Sequence, residues 1–380
     1  MSDIYEESVA WHRAQHGKME LKSKAPLLTK KDLSLAYTPG VAEVCRVIAK
    51  DEAEAKNLTL KHNTVAVISD GSAVLGLGNL GAAAAIPVME GKCVLFKEFA
   101  GVDAFPICLD TQDEEEIIKT IKYLAPVFGG INLEDISAPR CFNIEARLKK
   151  ELDIPVMHDD QHGTATVVLA GLINALRLRE SDKKDVRVVV NGAGAAGVAI
   201  TKLLLEFGFV NIIVCDSKGV IFSGRDDLNS SKTELAKLTN KNKTTGDLIA
   251  ALSGADVFIG VSTAEVLKPE MIKLMAKDPI IFALANPTPE VMPDVAMAAG
   301  ALVVATGRSD YPNQINNVLV FPGVFRGALD NNVKEITDAM LIRAAENLAS
   351  LIEEPSADNI LPDVFDKRVA KVVASAICEI

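Results

Sequence analysis

Two adjacent carboxylates, Asp159 and Asp160, lie in the run V-M-H-D-D-Q-H-G-T-A-T from Val156 to Thr166, between a short apolar stretch and a long one beginning at Thr164. A second acidic pair, Glu134 and Asp135, follows N-L upstream. Acids gathered in one place repel one another unless a cation neutralises them. Glu134, Asp135 and Asp160 offer only oxygen ligands, which suit Mg²⁺ or Mn²⁺ better than zinc. His158 and His162 have the i, i+4 spacing of a zinc pair. Gly163, however, is expected to turn the backbone sharply where the acids are displayed, which would break a continuous helical face. The histidines are therefore expected to support the site or to pack against it. Helix capping by Asp160 is the bland alternative, and it accounts for one acid rather than four.

The elements that must position these acids read as an alternation of strands and helices. Thr64–Asp70, Lys92–Phe96 and Phe105–Leu109 look like strands of a first unit. Lys92, just behind Gly91, would then stand at a strand entrance, where a lysine is ordinarily a solvated end. Tyr37 precedes Thr38-Pro39-Gly40, a turn signal, and reads locally as a packed ring with its hydroxyl outward. Glu6 to about Lys22 reads as a polar helix over a surface or a partner subunit. Glu114–Phe128 reads as an amphipathic helix ended by Gly129-Gly130.

G-x-G-x-x-G occurs twice, at Gly76–Gly81 and at Gly192–Gly197. Only the second directly follows an uninterrupted apolar strand (Val186–Asn191) and opens a helix. It also has an acid, Asp216, about twenty residues on at the end of the next strand. Gly192, Gly194, Ala195, Ala196 and Gly197 are thus expected to carry a dinucleotide pyrophosphate on backbone N–H groups. Asp216 is expected to take the ribose hydroxyls. It favours NAD by repelling a 2′-phosphate, while Lys218 leaves NADP open. The first match is read as an active-site loop. Asn286, directly after an apolar strand, should face the cleft at the strand carboxyl ends.

The expected fold is α/β: an N-terminal α/β substrate and metal domain, residues 1–160, then a doubly wound parallel-sheet, Rossmann-type dinucleotide-binding domain, residues 161–380. The chain's 380 residues fit two such units. A net charge of -11 and a pI near 5.1 argue against nucleic acid and anionic membranes as partners. No apolar run is long enough to span a bilayer, and the acidic start M-S-D-I-Y-E-E lacks the features of a signal peptide. Six scattered cysteines without a C-x-x-C pair fit reduced thiols in the cytoplasm. A dinucleotide beside an oxygen-ligated metal points to oxidation of a hydroxy acid. The metal would polarise the hydroxyl and stabilise an enolate if a β-carboxylate leaves as CO₂.

The chain resembles the bacterial malic enzymes of the short-subunit type over nearly its whole length. The motifs that carry the likeness are Y-T-P-G-V-A at Tyr37, S-D-G-S-A-V-L-G-L-G-N-L-G at Ser69, G-K at Lys92 and N-L-E-D-I at Asn132. H-D-D-Q-H-G-T at His158, G-A-G-A-A-G at Gly192, A-N-P-T-P-E at Ala285 and N-N-V-L-V-F-P-G at Asn316 complete the series. The resemblance implies oxidative decarboxylation of L-malate to pyruvate and CO₂; separately, the polar, coreless stretch Glu6–Lys22 leads us to expect a homodimer with that helix and the Tyr37 turn near the partner. The resemblance makes Lys92 the general base and Tyr37 the general acid, overriding the local readings of both. It makes Glu134, Asp135 and Asp160 the metal ligands, with Asp159 tuning the site, and puts Asn286 and Asn317 against substrate and nicotinamide. Burial and a nearby cation are expected to lower the lysine pKa. One departure stands out: larger relatives hold the malate carboxylate with an arginine where this chain has Ala73, so backbone N–H groups of the glycine loop are expected there instead. An amino-acid dehydrogenase, a lactate-forming malolactic enzyme and a non-catalytic NAD(H) sensor are the alternatives. Malate turnover that depends on a metal and yields NADH separates them.

Overall fold

Unbroken apolar runs such as T-V-A-V-I-S and R-V-V-V-N suit strands covered on both faces, and each lies inside a parallel sheet. The computed structural model describes residues 2–379. In its first sheet β1 (Thr64–Ser69), β2 (Asp103–Cys108), β3 (Gly130–Leu133) and β4 (Val156–His158) are parallel, in the order β2-β1-β3-β4. The second sheet holds β5 (Arg187–Asn191), β6 (Asn211–Asp216), β7 (Gly219–Val220), β8 (Val257–Gly260), β9 (Ile280–Ala283) and β10 (Val303–Thr306). Its order is β10-β9-β8-β5-β6-β7, parallel except at the β6–β7 edge. That short antiparallel edge, which the expected all-parallel sheet lacks, forms because Gly219 takes φ +107 and folds the chain back after Asp216.

Helices α1 (Ser2–Gln15), α2 (Lys30–Ala36), α3 (Val41–Lys50) and α4 (Glu54–Leu58) precede the first sheet, and no residue from 4 to 63 is buried. The helix expected to reach Lys22 stops at Gln15, where His16 (φ 56) and Gly17 (φ 104) turn the chain. Around the first sheet lie α5 (Ala82–Ala100), α6 (Glu114–Leu124) and α7 (Arg140–Glu151). Helix α8 (Asp159–Leu178) leads to the second sheet and packs against α9 (Ala195–Phe207). Helices α10 (Ser230–Leu238), α11 (Leu248–Leu252), α12 (Pro269–Ile272) and α13 (Pro293–Ala298) follow. The chain ends with α14 (Phe321–Asp330), α15 (Asp338–Ser350) and α16 (Val369–Ala376). Helix α14 returns to the first unit: Phe321 and Phe325 meet Phe96 of α5 edge-on, at 4.8 and 5.5 Å between ring centres.

Two local expectations are corrected. The run Lys92–Phe96 is helical, inside α5, and its buried residues Ala85, Met89, Lys92, Cys93 and Phe96 recur at helical spacing. A short continuous apolar run does not distinguish a buried helix from a buried strand. Lys92 is consequently on a buried helix face rather than at a solvated strand end. Gly163 does not turn the backbone either, because α8 runs through it from Asp159. A β-carbon at Gly163 would overlap Asp159 Oδ1, so the glycine makes room for a carboxylate within the helix.

Candidate active site

Strand ends and helix starts bring the acids together. Glu134 and Asp135 leave the carboxyl end of β3, and Asp159 and Asp160 open α8 directly after the neighbouring strand β4. One carboxylate oxygen from each of Glu134, Asp135 and Asp160 lies within 4.8 Å of the others. Asp135 sits at φ 54, and its backbone N–H donates to Asp160 Oδ2 at 2.8 Å. Its own Oδ1 accepts from Leu75 N at 3.3 Å, and its buried Oδ2 has no partner. Burial, then mutual repulsion with Asp160, pushes Asp135 up to about 8. Burial likewise raises Glu134 to about 7 and Asp160 to about 6. Converging, under-satisfied carboxylates that resist ionising together fit a hard divalent cation.

Lys92 reaches this cluster from α5. Its Nζ donates to Asp159 Oδ2 at 2.7 Å and lies 3.0 Å from Glu134 Oε1. Burial favours the neutral amine, but the attraction of Asp159 and Glu134 outweighs it and holds Lys92 above the usual lysine range. The downward shift expected from burial therefore does not prevail beside these two acids. Asp159 is fully buried, and burial pushes it up to about 7. Asn317 Nδ2 donates to the same Asp159 oxygen at 2.5 Å.

His158 and His162 are not part of this acid cluster, though the buried His158 Nδ1 lies 3.8 Å from Asp160 Oδ2. Glu145 of α7, buried, accepts from His158 N at 3.0 Å, from Gln161 Nε2 at 3.1 Å and from Lys149 Nζ at 3.0 Å, and pairs with His162 Nε2 at 3.0 Å. It pins the first turn of α8 and with it the two aspartates. Despite its burial, the His162 and Lys149 charges hold Glu145 well below the usual carboxylate range. Glu145 escapes a sequence reading because an isolated acid in an amphipathic helix looks like any solvated one. Asn132, which donates to Glu134 Oε2 at 3.0 Å, was legible only as part of N-L-E-D-I.

The cluster opens on a cleft of about 680 Å³. Ala73, Leu75 and Gly76 of the first glycine run line it, as do Lys92, Asn286 and Asn317. A second cavity of about 780 Å³ runs over Asn191, Gly192, Gly194, Asp216, Lys218 and Lys232, and Ser262 borders both. Ala195 and Gly197 start α9 behind this loop, and Ala196 faces the cleft. A β-carbon at Gly197 would overlap Gly192 O, so strand and helix meet there at backbone contact. Glu290, the last residue of A-N-P-T-P-E, ties the ends of β8 and β9 through Ser262 N (2.9 Å) and Ala285 N (3.0 Å).

Three of the expected residues have surroundings that bear on their assigned tasks. Asp216 is not free: Arg225 Nη1 and Nη2 donate to its two oxygens at 2.9 and 2.6 Å, and Lys232 Nζ donates to Oδ2 at 2.7 Å. Its pKa falls to about 2, since these hydrogen bonds outweigh burial. Lys218 pairs with Asp227 at 2.8 Å. Tyr37 is 67% exposed and does not line the cleft of its own chain.

A glycine loop at the carboxyl edge of a doubly wound sheet, facing an acid cluster and a buried lysine on a second α/β unit, defines a two-domain dinucleotide-dependent oxidoreductase. Residues 16–149 match the malic enzyme N-terminal domain and residues 161–380 the malic enzyme NAD-binding domain. The chain is 58% identical over 379 residues to the bifunctional malic/malolactic enzyme of Bacillus subtilis (strain 168), covering 99% of this chain and 92% of that one. It is 58% identical to the NAD-dependent malic enzyme of Geobacillus stearothermophilus (96% and 76% covered) and 46% identical to the NADP-dependent malic enzyme of Escherichia coli (strain K12), of which it spans 50%. The crystal structure of the NAD-dependent malic enzyme from Thermotoga maritima superposes with a TM-score of 0.95 at 51% identity, covering 97% of this chain and 98% of that one. The chain belongs to the malic enzyme family.

Proposed function

We propose that the protein catalyses oxidative decarboxylation of L-malate to pyruvate and CO₂ with NAD or NADP as hydride acceptor. The observation that carries this reading is the meeting of Lys92 and the Glu134–Asp135–Asp160 triad in one cleft with Asn286 and the first glycine run, next to the cavity over Gly192 and Gly194. Residues 1–160 serve substrate and metal, and residues 161–380 the dinucleotide. Glu134, Asp135 and Asp160 would hold a Mg²⁺ or Mn²⁺ ion, which would supply polarisation of the hydroxyl and charge stabilisation during decarboxylation. Gly192–Gly197 would hold NAD or NADP, which would supply the hydride acceptor.

Lys92 Nζ receives the malate hydroxyl proton, passing one of its own to Asp159, which already accepts its hydrogen bond and is raised to about 7. Asn317 holds Asp159 in place, and Asn286 orients substrate and nicotinamide. Tyr37 gives a proton to carbon as enolpyruvate becomes pyruvate. The tyrosine comes from the facing chain of a homodimer. This is supported by its exposure and its absence from the lining of its own cleft, and by the unburied arm 4–63, where Ile4, Tyr5, Trp11, Leu21, Leu28 and Leu35 are exposed. NAD is the preferred acceptor with NADP also used, since Arg225 and Lys232 already neutralise Asp216. The six free thiols fit a reducing, cytoplasmic setting.

The test is malate-dependent appearance of NADH or NADPH, with and without Mn²⁺, alongside product analysis. Metal-dependent NADH and pyruvate in equal amounts are expected. Lactate without accumulating NADH, or no turnover, overturns the reading.

A further inference from the structure

Malate carries two carboxylates, and the cleft that would receive it is lined by acids. Its central ammonium, Lys92, is already engaged with Asp159 and Glu134. Arg140 is committed as well: its Nη2 donates to Asp70 Oδ2 at 2.7 Å and to Ser72 Oγ at 3.0 Å, and it does not line the cleft. Ala73 at the cleft wall has no charge to offer. A dianion entering such a site needs a further cation.

One is present, and its placement is built. His16 and Gly17 turn the chain back after α1, with the backbone N–H of Lys18 donating to Glu90 Oε2 at 3.3 Å. A β-carbon at Gly17 would stand 3.0 Å from Glu90 Oε1, so the fit is tight. Lys18 Nζ donates to the carbonyl of Pro87 at 2.6 Å, on the face of α5 that also carries Val88, Gly91 and Lys92 into the cleft. Gly91 leaves room here, since a β-carbon there would be 3.4 Å from Lys18 Nζ. Among the described residues no carboxylate lies within ion-pair distance of that ammonium. With one of its three protons given to Pro87 O, two remain to donate. Lys18 is half-buried, in an arm where most residues are exposed.

We propose that Lys18 is a substrate-binding residue whose Nζ takes a malate carboxylate, the task left open by Ala73. This rests on the malate reading above. The ammonium lies against the backbone of α5 at Pro87 and Gly91, the residue before Lys92, and lines the same cleft as Lys92 and the acid triad. Lysine serves here as a point charge able to follow the carboxylate, without the planar grip of an arginine.

The experiment compares the parent protein with Lys18→Gln and Lys18→Arg, using steady-state kinetics and calorimetric binding of tartronate, a hydroxy diacid, in the presence of Mn²⁺. Loss of one charge-assisted hydrogen bond should raise KM for malate and Kd for tartronate by about 10- to 100-fold in Lys18→Gln. KM for the dinucleotide and affinity for Mn²⁺ should stay near the parent values, and Lys18→Arg should recover most of the loss. The proposal is overturned if tartronate binds Lys18→Gln within about twofold of the parent, or if Mn²⁺ and dinucleotide affinities fall in parallel, which would make Lys18 merely structural. A parent that binds tartronate through Lys18 but oxidises no malate would reject the assigned reaction and keep the anion site.

Discussion

Replacing Gly163 by alanine sets two effects against each other. Within a helix the change is intrinsically favourable by about 1 kcal/mol. Here the added carbon would overlap Asp159 Oδ1 and stand 3.3 Å from Asn317 Cβ. Asp159 is fully buried and fixed by Lys92 at 2.7 Å and Asn317 at 2.5 Å, so it cannot step aside without breaking that pair. Breaking a buried ion pair costs about 3–5 kcal/mol, which leaves a net loss of about 2–4 kcal/mol. Because Lys92 loses its proton acceptor, kcat should fall along with stability. The assay is urea unfolding of Gly163→Ala beside malate turnover. Gly171→Ala in the same helix is the control, since its new carbon would meet only the side-chain ends of Leu361, Ile360 and Phe282 at 3.4–3.5 Å. If Gly163→Ala unfolds at or above the parent's midpoint and keeps its kcat, the packing argument is wrong.

Asp160→Asn should lower Mn²⁺ affinity by at least about tenfold in calorimetry while circular dichroism stays that of the parent; undiminished affinity removes Asp160 from the ligand set. Asp216→Ala should raise the ratio of NADP to NAD use, because Arg225 and Lys232 are then uncompensated, and Arg225→Met should lower it. Equal ratios in all three proteins would place the ribose elsewhere. Asp135 and Glu134, held at about 8 and 7, bind protons in the folded chain that the unfolded chain releases near pH 4. Metal-free stability should therefore decline as pH rises through that window. Since the ion displaces those protons, the melting-temperature gain from saturating Mg²⁺ should be larger at about pH 8 than at about pH 5.5, and a flat gain would contradict it. Finally, mixing Lys92→Ala and Tyr37→Phe chains should restore turnover, because a hybrid dimer has one site with both groups intact if Tyr37 acts across the interface. Two inactive parents giving an inactive mixture, with hybrid formation verified by mass spectrometry, would return Tyr37 to its own chain.

Much of this protein is written in local pattern. The apolar strands, the glycine loop opening α9, the acid at the end of β6 and the carboxylate pairs are all short-range features, because strand burial, tight turns and metal ligation each need particular residue types at fixed spacing. The resemblance to malic enzymes rests on the same motifs, and through them Tyr37 and Lys92 could be singled out despite unremarkable surroundings. Tertiary structure decided the rest. Whether Lys92–Phe96 is strand or helix depends on what covers it, since periodicity in five apolar residues is ambiguous. Gly163 looked like a turn because its neighbour's side chain, which fills the space a β-carbon would take, cannot be read from sequence. The charge on Lys92 follows from two acids far off in the chain, and the compensation of Asp216 from cations nine and sixteen residues away. Glu145 and Lys18 acquire meaning only through the elements folded against them, because electrostatic and hydrogen-bond partners are set by distance in space rather than along the chain.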